Sequence, residues 1–203
     1  MSTRLTMPRT FANHALTRSF LLRWMPTFLG FPAGGSLAMV LTGPVDAPVP
    51  ALLGGLLAGL AIGSAQWLAL RDRLPDAARW IPATALGHAA GLAAGSALVG
   101  YQTGLVPLAI QGLVTGLVLG IAQGLVLRRT LPGWPWWMLA MPVLWALGWV
   151  VTTAAQVQVE RQFTNFGSLG ALAFCLLSGL LLNLLLRHAP GERETPASLP
   201  LAA

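Results

Sequence analysis

Six stretches of this chain run for the thickness of a bilayer core without one Asp, Glu, Lys or Arg: 24–42, 50–70, 80–99, 106–127, 136–155 and 167–186. A helix needs about 20 mostly apolar residues to span hydrocarbon. Helices of a soluble bundle carry a charged face at the helical period, whereas these runs are apolar all round. Pro26, Pro32 and Pro142 fall inside them, which is tolerable where neighbouring helices take up the freed carbonyls. Only 9% of the residues are charged, against about 25% in a soluble domain. A soluble enzyme, a disordered chain and a disulfide scaffold are thereby excluded. The single Cys175 lies in an apolar run and reads as a small buried hydrophobe. The stretch from Trp24 to Leu41 exceeds the apolar core of a signal peptide, about 7–15 residues, and is expected to stay in the mature protein.

The charges then orient the runs. All 12 cations are Arg. Arg4, Arg9, Arg18 and Arg23 precede the first run, and Arg71, Arg73 and Arg79 follow the second. Arg128 and Arg129 follow the fourth run, and Arg187 and Arg193 follow the sixth. Only Arg161 falls on the other side. The positive-inside rule places both termini in the cytoplasm of a bacterium, with the chain in the inner membrane. The net charge of +6 therefore reports topology and contact with anionic headgroups, not a nucleic-acid partner. Trp24, Trp80 and the Trp134, Trp136, Trp137 group stand at the cytoplasmic start of odd-numbered runs, where amphipathic indoles are expected to anchor at headgroup level.

An internal repeat organises the runs. Residues 55–75 laid over 112–132 match at 12 of 21 positions. The matches include Gly55/Gly112, Gly59/Gly116, Gly63/Gly120, Gln66/Gln123 and Arg71/Arg128. The same offset pairs Trp80 with Trp137 and Gly91 with Gly148, and with one gap Gly30 and Gly34 fall on Gly87 and Gly91. The sixth run is a worn copy: Gly179 and Arg187 keep the spacing, Leu182 replaces the Gln, and Asn183 stands beside it. The expected fold is an all-α integral membrane protein with six transmembrane helices. They form three tandem hairpins (24–71, 80–128 and 137–187) with pseudo-threefold symmetry about the membrane normal. Residues 1–23 are a cytoplasmic N-terminal segment, 24–187 one transmembrane domain, and 188–203 a disordered cytoplasmic tail.

The repeated GxxxGxxxGxxQxxxLR helix, followed by Leu-Pro and a Trp-led helix, resembles a group of uncharacterised bacterial multi-pass membrane proteins. The residues that carry the resemblance are Gly55, Gly59, Gly63, Gln66, Leu70 and Arg71 with their second-copy equivalents. It covers nearly all of the spanning region and implies no activity.

On a helical wheel, Gly55, Gly59, Gly63 and Gln66 lie at about 0°, 40°, 80° and 20°, one narrow stripe that Gly112, Gly116, Gly120 and Gln123 repeat. Small residues at this spacing let helix backbones approach in lipid, so the six glycines are helix-packing candidates. They also offer a face for self-association or for other membrane subunits. Gln66 and Gln123 read first as packing and register devices, and second as the lining of a polar cavity together with His88 and Asn183. His88 is the one His inside a run. It shares a face with Thr84, Gly91 and Gly95, and ionisable groups inside a membrane are functional by default. A hydrogen-bonded core His is one reading and a cofactor ligand the other. Its repeat equivalents, Phe31 and Trp145, make no threefold His site. The loop with Gln156, Gln158, Glu160, Arg161, Gln162 and Asn165 is expected to be solvated. Asp72 and Asp76 are expected to be solvated or paired with Arg.

Metal-ligand clusters, paired intramembrane carboxylates and a nucleophile with a base are all missing from the pattern. The chain is thus expected to be a non-enzymatic structural or accessory membrane protein without a cofactor, its partner being the lipid bilayer. The alternatives are a small channel or transporter for a neutral solute or ion through Gln66, Gln123 and His88, and a cofactor protein using His88.

Overall fold

Proline and glycine set where the helices begin and bend. The structure, a computed structural model, describes residues 19–74 and 76–188. Among these residues there is no strand, and six long helices follow one another. They are α1 (Ser19–Thr42), α2 (Pro48–Leu70), α3 (Trp80–Leu98), α4 (Leu105–Leu127), α5 (Trp134–Ala154) and α6 (Ser168–Arg187). α2 opens on Pro48 after an extended Ala47, a position where the missing N–H leaves no bond unmade. In α1, Pro26 interrupts the ladder and the chain tightens into a 3-10 stretch over Met25–Leu29. In α5, Pro142 frees the carbonyl of Met138. Gly120 of α4 lies over that oxygen, since a Cβ there would stand 3.2 Å from it. α1 is already helical at Ser19, ahead of the expected boundary at 24. The tail expected to be disordered lies outside the described residues beyond His188.

Five of the six helices are long and apolar enough to cross a membrane. The one that falls short of the expected six is α3. Alanine and glycine make up much of it, and Thr84, His88 and Ser96 are polar side chains buried on its inner face.

Successive helices pack on one another, and α6 returns to the 3-10 stretch of α1, so the bundle closes on itself. Its polarity is reversed from that of a soluble protein. Val40, Val49, Leu86, Val106, Leu139 and Leu184, one from each helix, are exposed, while Gln66, His88, Thr115 and Gln123 are buried. At one end Arg23 pairs with Asp72 at 3.1 Å, and Asp76 pairs with Arg79 at 3.1 Å and Arg129 at 3.7 Å. These exposed pairs tie the linkers together but are worth only about 0–1 kcal/mol each.

Glycines fix the helix spacing. A Cβ at Gly55 would come within 2.8 Å of Ala89 Cα and one at Gly59 within 2.7 Å of Ala85 Cα, while at Gly63 it would meet Thr84 and Ile81. Gly112 lies equally close to Ala146, Gly116 to Met141 and Pro142, and Gly120 to Met141. The stripes are therefore used within the chain, α2 on α3 and α4 on α5. These six glycines are thus taken up by contacts within the chain. Gly59→Leu is expected to destabilise the protein by about 1–3 kcal/mol through overpacking, read as a lower unfolding temperature in detergent micelles. Leu60→Ala on the outward face should change little, and equal losses at both positions would contradict the packing.

Candidate functional site

Moving inward from the Arg-rich end, the first buried layer is built by three indoles. Trp24, Trp80 and Trp137 lie on the buried faces of α1, α3 and α5 near their starts, and each is 0% exposed. An indole N–H in an apolar interior requires an acceptor. Trp80 donates to Gln66 Oε1 at 2.8 Å, and Trp137 donates to Gln123 Oε1 at 3.1 Å. Trp24 donates to Ser178 Oγ at 3.2 Å on α6. Leu182 stands where the Gln would be, and Ser178 supplies the oxygen from one turn away. The expectation that these three indoles anchor in the headgroups is thus overturned, because their N–H groups find acceptors inside the bundle. Trp136, 66% exposed, is the member of the group that faces outward.

Gln123 has a second bond, its Nε2 donating to Thr84 Oγ1 at 2.9 Å. Thr84 lies one turn from His88 on α3, so the polar face of α3 continues toward the opposite end. There Phe31, His88 and Trp145 meet. The His88 and Trp145 rings are 4.9 Å apart and those of Phe31 and Trp145 are 6.2 Å apart. Phe174 of α6 closes on Phe31 and Trp145 at 5.4 and 5.8 Å. These three positions correspond in the sequence repeat, and the bundle brings them into one aromatic layer.

In the long loop 155–167, Gln156, Gln158, Glu160 and Arg161 are exposed as expected, but its last part descends onto this layer and takes Asn165 out of solvent. Thr164, Asn165 and Phe166 are buried. His88 Nε2–H donates to the Thr164 carbonyl at 3.2 Å, and Asn165 Nδ2 donates to the Phe31 carbonyl at 3.2 Å. The Phe166 ring stacks on Phe31 at 5.0 Å and meets Trp145 edge-on at 4.9 Å. The loop is also tied to its neighbours: Val45 N–H donates to the Gln162 carbonyl at 2.9 Å, and Gln162 Nε2 donates to the Tyr101 carbonyl at 3.0 Å. Polarity alone suggests solvent throughout, but Gln162 and Asn165 find protein partners instead.

The proposed cavity residues are therefore placed as follows. Gln66 and Gln123 are 1% exposed and His88 0%, and each bonds into the packed interior instead of lining open space. Gln66 bonds Trp80, Gln123 bonds Trp137 and Thr84, and His88 bonds the loop. Asn183 is buried on α6 and shares no hydrogen bond with the other three. Cys175 is buried with its Sγ 3.6 Å from Thr27 Oγ1. Sequence reasoning missed Ser178, Thr164 and Phe166. It also missed a readable signal, since each Trp follows its Gln by the same 14 residues. Comparison with protein-family models, with curated proteins and with solved structures finds no match to this chain.

Gln66→Leu leaves the Trp80 N–H buried without an acceptor, and a loss of about 1–3 kcal/mol is expected. Gln123→Leu strands both Trp137 and Thr84 and should cost more. Chemical unfolding followed by tryptophan emission checks the order; a smaller loss at Gln123 than at Gln66 would show that the Thr84 bond adds nothing.

Proposed function

We propose that this chain is a non-enzymatic multi-pass protein of the bacterial inner membrane, acting as a structural or accessory subunit. All six helices cross the bilayer as three hairpins about a pseudo-threefold axis along the membrane normal, α3 included, because it lies between α2 and α4 and exposes less of itself to lipid. The N-terminal segment and the tail lie in the cytoplasm with the Arg-rich end. Neither a cofactor nor a nucleic acid takes part; lipid is the partner of the outer surface. The resemblance to bacterial multi-pass proteins agrees with this reading and adds no activity to it.

The observation that carries the proposal is the recurrence of one buried contact at all three hairpin seams. Trp80 on Gln66, Trp137 on Gln123 and Trp24 on Ser178 each join the start of one hairpin to the end of the one before it. The third of these joins the last helix to the first. The amides that a conducting path would need are thereby occupied, and aromatic rings fill the axis above them. A polar side chain bonded inside the protein steadies the bundle, and it becomes available to a permeant species only if that bond breaks.

Two measurements test this. Purified protein in liposomes is expected to pass protons and potassium ions no faster than protein-free vesicles. A flux that disappears with the double variant Gln66→Leu/Gln123→Leu would establish the channel instead. A reporter fused after Arg187 is expected to act only in the cytoplasm and one inserted at Gln102 only in the periplasm; the reverse pattern would overturn the orientation.

A further inference from the structure

The seat of the 164–166 segment has the form of a binding site. Three successive residues each rest on a glycine of a different helix. A Cβ on Gly54 of α2 would stand 2.7 Å from Thr164 Cγ2, one on Gly35 of α1 would stand 2.9 Å from Asn165 Oδ1, and one on Gly148 of α5 would stand 2.6 Å from Phe166 Cε1. The seat offers a donor, His88 Nε2–H, and an acceptor, the Phe31 carbonyl. Its aromatic box is made by Phe31, Trp145, Trp149 and Phe174. The segment answers each in turn with a carbonyl oxygen, an amide N–H and a phenyl ring.

The fit is incomplete. His88 Nδ1, Trp145 Nε1 and Thr164 Oγ1 are buried without partners, and buried polar atoms ordinarily find partners. Gln156 and Gln162, both ahead of the segment in the chain, hold the left-handed backbone at φ 56°, which is strained for a residue with a side chain. A crevice of about 310 Å³ between α1 and the start of α6 reaches the segment from the side, past Pro32, Gly35, Ser36 and Ser168, to Asn165 and Phe166. Its walls are mainly apolar with a few polar groups, as ligand sites are.

We infer that this axial socket binds a small uncharged aromatic amide, and that residues 164–166 occupy it in cis until such a ligand displaces them. The inference goes beyond the structural role proposed above and does not depend on how the chain is oriented, because the socket lies wholly inside the bundle. A tethered occupant competes at a high effective concentration, so the intact protein should bind weakly and the loosened one tightly.

The test uses the full chain in detergent micelles with N-acetyl-L-phenylalaninamide as the probe. Asn165→Ala/Phe166→Ala is expected to bind it at least tenfold more tightly than the wild type, read by tryptophan emission. Adding His88→Ala should remove that gain. Because the double variant also removes core packing, a second measurement keeps the segment nearly intact. With Thr164→Cys in a Cys175→Ala background, saturating probe is expected to speed maleimide labelling at least tenfold, as the segment leaves its seat. Labelling that the probe does not change, or a folded double variant that binds no better than the wild type, would overturn the proposal.

Discussion

Neighbouring helices touch here through glycine, backbone against backbone, and the dimensions of the interior follow from that contact. Lipid tails are as apolar as leucine, so helices in a bilayer gain little by hiding leucines from it. They gain by close packing, and glycine permits the closest. Gly30 and Gly34 set α1 on α2, Gly55, Gly59 and Gly63 set α2 on α3, Gly91 and Gly95 set α3 on α4, and Gly112 and Gly116 set α4 on α5. With the walls drawn in this far, an indole from one helix reaches an amide on the preceding one, as Trp80 reaches Gln66 and Trp137 reaches Gln123. Larger residues in the stripes would hold the helices apart and leave those donors without acceptors.

The helices were legible because the signal is long and repeated. Runs of about 20 uncharged residues have few other readings, and the glycine stripe names the face on which each helix meets its neighbour. What failed to read were cases in which one residue type serves two environments. An indole at the start of a run suits a headgroup layer as well as a buried acceptor, and only its partner decides between them. Trp80 and Trp137 had partners visible in the sequence at a constant spacing. Trp24 did not, because Ser178 is a common residue that nothing marks as an acceptor. In the loop, Asn165 misled for a related reason, while Gln156, Gln158, Glu160 and Arg161 are exposed as their polarity suggests. Composition records that polar groups are present, but not whether water or a carbonyl beneath them satisfies them.

The third hairpin departs from the others in ways that belong together. Gly34 and Gly91 receive the backbone of the neighbouring helix, at Ala58 and at Thr115. Gly148, which pairs with Gly91 in the sequence repeat, receives the ring of Phe166 instead. The short loops after α1 and α3 have no length to reach inward. The loop after α5 is longer and packs Phe166 among Phe31, Trp145 and Phe174. In the same hairpin, Phe174 of α6 packs on Phe31, Trp145 and Phe166, and Leu182 stands where Gln66 and Gln123 stand in the other two.

This departure bears on where a specific role can reside. Features shared by the hairpins, the glycine contacts and the Trp bonds, account for how the bundle is held together. The Trp bonds are satisfied and leave little free chemistry. Two of the unpartnered buried polar atoms, Ser96 Oγ and Thr115 Oγ1, lie on α3 and α4, and three, on His88, Trp145 and Thr164, gather around the one segment that breaks the pattern. A histidine with one nitrogen bonded to a loop carbonyl and the other unpaired gains less from its position than Gln123, which uses both ends of its amide. Packing accounts for Gln123 in full and for His88 only in part. The remainder lies at the axis, beneath the loop, where the helices have left a donor and an acceptor facing a segment that could be exchanged for a ligand of the same chemistry.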